Sequence, residues 1–182
     1  MKTRSIPAIV IFVVFLIVVF STVHAGQHNK STVKALNGLG FSDFKGYEDW
    51  QDAAVSQTEG GIKAILGNPA MMKAYREGIP GNRKSFPEGS KIVKIEWSKK
   101  KGPASPYFVE VPDALKSVSF IEKDSRRFKD SSGWGYAQFL YDAGSKTFKP
   151  YGEDSSFGTK VCYQCHTAVK EKDYIFTDYP PR

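Results

Sequence analysis

The sequence predicts an α+β fold, mostly antiparallel β-sheet with a few helices, the last of which begins near the two cysteines. Three observations predict it. Lys91 to Trp97 alternates strictly, with Val93, Ile95 and Trp97 on one face and Ile92, Lys94 and Glu96 on the other, the period-two pattern of a strand. Further short runs at Tyr107–Val111, Val118–Lys123 and Trp134–Tyr141 are bounded by Pro, Gly, Asp or Ser and read as additional strands. Asn68-Pro69 supplies an N-cap with proline at the first helical position, and Gly78 a stop, so Pro69–Glu77 is the best-punctuated helix.

The remaining elements follow in chain order. Lys2 and Arg4 precede an apolar run from Ala8 to Phe20, and Val23-His24-Ala25 offers small residues before Gly26, so residues 1–25 read as a signal peptide and the mature chain is expected outside the cytoplasm, periplasmic or secreted. Residues 26–46 are expected to be a flexible leader to a single domain spanning 47–182. Tyr47–Ala54 reads as a short helix. Val55–Leu66 reads as a hairpin turning at Glu59-Gly60-Gly61.

The chain carries a formal charge of +7, and loss of Lys2 and Arg4 with the signal leaves +5. The lysines are scattered among acids. The one tight basic run, Lys99-Lys100-Lys101, is followed by Gly102-Pro103 and reads as a solvated turn, so nucleic acid is not an expected partner.

The only two cysteines stand as Cys162-Tyr163-Gln164-Cys165-His166, the spacing of c-type haem attachment. Two thiols three residues apart reach the two haem vinyl groups from one helical turn, and His166 then offers its imidazole to the iron as proximal ligand. The competing readings are a redox dithiol, which calls for a thioredoxin-like parallel βαβ surround, and a structural disulfide. The motif lies near the C-terminus, whereas small electron-carrier cytochromes place it early and supply an axial methionine downstream. No methionine follows His166, Met71 and Met72 belong to the predicted helix, and His28 lies in the leader. The expected iron is five-coordinate, with an open position for a small molecule.

Around this motif the chain resembles the cytochrome P-460 family from about Tyr47 to Phe176. The resemblance rests on Tyr47-Glu48-Asp49-Trp50, Ala64-Ile65-Leu66-Gly67-Asn68, Lys73-Ala74-Tyr75-Arg76-Glu77-Gly78, Phe86-Pro87-Glu88-Gly89-Ser90, Lys94-Ile95-Glu96-Trp97, Gly133-Trp134-Gly135-Tyr136, the cysteine motif, and Asp173-Tyr174-Ile175-Phe176. It implies a periplasmic monohaem protein, mostly β and commonly dimeric, related in fold to the β-type cytochromes c′. In catalytic members a lysine is joined to a meso carbon of the haem and tunes it to oxidise hydroxylamine. Carried over by motif, that lysine is Lys94, with Lys91, on the other face, as fallback. Ile79–Ser85 is longer than the connection the family leads one to expect before the Pro-Glu-Gly turn.

The resemblance also implies a distal carboxylate, for which Glu122 is the candidate because it shares a strand face with Val118 and Phe120. Phe120 and Phe157 are candidate apolar walls of the pocket, and Arg76 a candidate partner of a haem propionate. The expected partners are a small nitrogen-containing ligand or substrate and a soluble cytochrome electron acceptor, with a homodimer as the implied assembly. The alternative activity is binding of nitric oxide at the same open site without turnover.

Overall fold

The computed structural model describes residues 30–104 and 106–182, so residues 1–25, which read as a signal peptide, and His28 lie outside the described residues. Six antiparallel strands form one meandering sheet in sequence order: β1 (Gln51–Thr58), β2 (Gly61–Gly67), β3 (Lys91–Lys101), β4 (Glu110–Lys123), β5 (Trp134–Asp142) and β6 (Thr147–Tyr151). A helix, α1 (Pro69–Arg76), joins β2 to β3. A C-terminal helical segment begins with a wide-pitched turn over Gly158–Tyr163, runs as α-helix through Gln164–His166 and tightens over Thr167–Lys172. This is the α+β arrangement the sequence predicts.

The hairpin forms where Gly60 and Gly61 place it, with Thr58 opposite Gly61 across a two-residue turn. Asn68 caps α1 by accepting from the Met71 N–H at 3.0 Å, accepts from the Lys91 N–H at 3.0 Å and donates to the Gly89 carbonyl at 2.8 Å. One side chain therefore fixes the helix start against the start of β3.

Four local expectations are corrected. Tyr47–Asp49 makes only a single tight turn, and Gln51 begins β1, because Asp52 and Ala54 pair with Leu66 and Ile65 in the hairpin ladder. Tyr107–Val111 and Val118–Lys123 are not two strands: β4 runs unbroken from Glu110 to Lys123. Its Pro112 is tolerated because β5 pairs only from Ser117 onward, leaving the Pro112 stretch with a neighbour on one side alone. β6 was not expected, since Pro150 argues against a strand, yet β6 is an edge where a missing N–H costs no ladder bond. Finally, the segment read as a flexible leader packs into the core, with Leu39, Phe41 and Phe44 buried.

Those three residues and Tyr47 cover one face of the sheet, where they meet Leu66, Val93, Val118, Phe120, Ala137 and Phe139. Phe44 stacks on Phe120 with ring centroids 4.2 Å apart. The opposite face carries Ile65, Ile92, Trp134 and Tyr136 and is covered in part by Met71, Met72 and Tyr75 of α1, by Ile175, and by the cysteine-bearing helix. The sheet is thus a floor between an aromatic layer and the candidate site.

Candidate functional site

The cysteine motif is pressed against β5 at Gly158. A side chain there would bring its Cβ to 2.6 Å from the Tyr136 carbonyl oxygen, so glycine alone permits the approach. Downstream, Cys162 is partly buried against the core and Cys165 is exposed, both as free thiols. The Tyr136 ring lies 4.7 Å and the Phe176 ring 4.9 Å from the His166 ring, holding the imidazole between them.

The His166 Nδ1 lies 2.6 Å from the Tyr174 carbonyl oxygen. A carbonyl only accepts, so Nδ1 carries the proton and Nε2 presents its lone pair. Burial holds the His166 pKa below its ordinary value, the Tyr174 carbonyl opposes this, and the Lys94 charge adds to the depression. A neutral imidazole with Nε2 available is the form that ligates iron.

Lys94 lies on this same face. It stands opposite Ile65 on β2 and Ser119 on β4, and the row continues to Gln138 and Tyr151. Its pKa is lowered from 10.5, first by burial and then by the neighbouring charge of Lys63, against the opposing pull of Glu96 and the two cysteines. Reciprocally, burial pushes the Cys162 thiol up and Lys94 draws it down. Among the described residues Lys94 has no ion pair or hydrogen-bond partner. Lys63 does: its ammonium faces Glu96 at 4.0 Å, and Lys116 reaches the same carboxylate at 3.2 Å.

Glu122 is not in this site. Its register partner is Lys91, on the face opposite Lys94, and its carboxylate meets Lys91 at 3.0 Å and Arg127 at 3.1 Å. Phe120 lies fully buried on that same far face. The physical reason is parity: from Lys91 to Glu96 the even residues of β3 face with the odd residues of β4, so Lys94 goes with Ser119 and Ile121, not with Phe120 and Glu122. Arg76 is exposed and bonds the Gln51 side chain on the edge strand β1, a partner other than a haem propionate. Phe157 does border the region, edge-on to Tyr151 at 5.2 Å.

Sequence reasoning passed over several residues here. Glu96 shares the Lys94 face and was legible two positions along the strand. Tyr136 belongs to the Gly133-Trp134-Gly135-Tyr136 run, whose sequence carries no cue to its ring contact with His166. Glu153 lines a cleft of about 290 Å³ with Tyr151, Phe157, Lys160 and Val161, just before Cys162. Among the described residues Glu153 has no ion pair, whereas its neighbour Asp154 accepts from Ser156. Met71 and Met72, at 0% and 1% exposure, are core.

These residues fit a haem. The fully antiparallel sheet does not provide the parallel βαβ surround of a dithiol oxidoreductase. The donor set is two thiols a helical turn apart, a neutral imidazole oriented by its other nitrogen, and an amine on the same face of the sheet, near enough for its charge to act on both thiols. Tyr151 and Val161, 49% and 53% exposed, share one cleft with Phe157, and Phe176, 48% exposed, packs on His166, apolar surface suited to a large planar ring. The buried Tyr136 hydroxyl has no partner among the described residues, and burial first, then the neighbouring Tyr163, Asp173 and Cys162, push its pKa up.

A comparison with curated proteins finds no match. The sequence profile of the cytochrome P460 family matches residues 44–177, which include the Lys94 strand, the cysteine motif and the Asp173-Tyr174 turn. The chain belongs to the cytochrome P460 family, and a haem is the cofactor that membership implies.

Proposed function

We propose that this protein is an exported c-type haem oxidoreductase that oxidises hydroxylamine or a related small nitrogen compound and passes the electrons to a soluble cytochrome. One haem would be held covalently by Cys162 and Cys165, with His166 Nε2 on the iron. When bound, the haem supplies an electron-accepting iron with a site for the substrate nitrogen.

The observation that carries this reading is the position of Lys94. It lies on the cysteine-bearing face of β3, near enough for its charge to act on Cys162 and Cys165, burial and Lys63 favour its neutral amine, and among the described residues it lacks an ion pair that would hold it elsewhere. A neutral amine is the nucleophilic form; exchanging a meso C–H for a C–N bond also releases two protons and two electrons, so the link would need an oxidant such as a peroxide as well as the neutral amine. Tyr136 and Phe176 hold the imidazole, and the Tyr174 carbonyl fixes its tautomer. With Glu122 on the far face, two carboxylates line the cleft beside the motif; Asp154 is bonded to Ser156, which leaves Glu153 as the one to take protons from a bound nitrogen compound.

The second reading is a nitric oxide binder without turnover, favoured by one observation: Glu96, the carboxylate nearest Lys94 along its strand face, is neutralised by two lysines. Hydroxylamine-dependent reduction of an artificial electron acceptor separates the two. Turnover that falls at least tenfold in Lys94→Met supports the oxidase; absence of turnover in a haem-loaded, Lys94-linked protein rejects it in favour of the binder.

A further inference from the structure

The turn that delivers the Tyr174 carbonyl to His166 is backbone-strained. Asp173 has φ of 50° and Tyr174 of 63°, two consecutive left-handed residues with side chains, a conformation that side-chain-bearing residues adopt only when their surroundings over-determine it. Tyr174 is the less expected, since a bulky ring gains nothing locally from that region.

The surroundings do over-determine it. The Asp173 carboxylate meets the Lys123 ammonium at 3.1 Å, and these side chains are only 9% and 8% exposed. The same carboxylate accepts the Phe86 N–H at 2.8 Å. Lys123 in turn donates to the Ser132 carbonyl at 3.1 Å and lies 4.9 Å from the centre of the Trp134 ring. Ile175, 1% exposed, plugs the core on the other side of the turn. A buried charge pair is a costly device for holding chain ends together, and apolar residues do that job as well. This one is attached to the single carbonyl that orients the imidazole.

We infer that Lys123 and Asp173 are positioning residues for the proximal histidine: their ion pair clamps the 173–174 turn so that the Tyr174 carbonyl holds the His166 Nδ1–H. Resting on the haem reading above, the clamp strengthens the iron–histidine bond by making the imidazole a better donor.

The test uses the haem-loaded protein. In Asp173→Asn and Lys123→Gln the iron–histidine stretching band of the ferrous protein should move to lower frequency and the reduction potential should become more positive. Lys123→Arg, which keeps the charge, should stay near the unsubstituted values. In the unsubstituted protein the Nδ1 proton should exchange slowly with solvent, a measurement that needs no variant. An unmoved band in haem-loaded Asp173→Asn and Lys123→Gln, or fast exchange of that proton, overturns the inference. Absence of covalent haem from the unsubstituted protein is a different result, and it fails the proposed function instead.

Discussion

Glu122→Gln tests whether the far-face carboxylate is structural. The substitution keeps the volume and removes the charge that Lys91 and Arg127 address at 3.0 and 3.1 Å. Removing one partner of a fully buried pair costs about 3–5 kcal/mol because the other charge is stranded. Here the Glu122 side chain is 10% exposed but Lys91 is 19% and Arg127 39% exposed, so water screens the stranded cations. Lys91 also donates to the Asp43 carbonyl, which retains one of its contacts. The expected loss is therefore about 2–3 kcal/mol, equivalent to about 5–10 °C in Tm for a domain of this size. The assay is a thermal melt paired with ligand binding and turnover on the same haem-loaded sample. Stability should fall while the rate per folded haem changes less than threefold. A variant with unchanged Tm and a hundredfold loss of rate would refute the placement of Glu122 on the far face.

Other outcomes follow from the same geometry. Gly158→Ala brings a methyl group to 2.6 Å from the Tyr136 carbonyl, so the cysteine helix must lift from β5; covalent haem incorporation should drop severalfold, read from haem absorbance per protein. Asn68→Ala removes the α1 cap and the tie to β3 and should cost about 1–2 kcal/mol in a urea titration, with no change in the haem spectrum. Burial first, and then Lys63, hold Lys94 below 10.5; the neutral amine therefore persists to lower pH than in an ordinary lysine. Amine-reactive labelling of Lys94 before any haem linkage should reach half its maximum below pH 10.5, and a midpoint at or above that value contradicts the burial argument.

What was legible in the sequence was what depends on neighbours along the chain. Alternation around Lys94 assigned its face, the Asn68-Pro69 and Gly78 signals bounded α1, and Cys-x-x-Cys-His needed only one helical turn. What was misread depends on pairing between strands. Glu122 shares a face with Val118 and Phe120, but only the register of β3 on β4 reveals that this is the face of Val93 rather than that of Lys94. Pro112 reads as a strand boundary because edge status is a tertiary property. The apolar residues Leu39, Phe41 and Phe44 were submerged in a polar, glycine-containing stretch, and their burial comes from the sheet they cover. The Tyr174 contact was invisible because a carbonyl carries no sequence signature, although Asp173-Tyr174 already stood among the residues of the resemblance.

The most direct measurement is denaturing mass spectrometry of the exported protein with proteolytic mapping, read beside its ferrous absorption spectrum. One haem retained on the Cys162–Cys165 peptide and joined to the Lys94 peptide, with a strongly red-shifted Soret band, is the predicted result. Haem on the cysteines alone with an ordinary high-spin c-type spectrum would contradict the lysine linkage, and a protein exported without covalent haem would contradict the proposed function altogether.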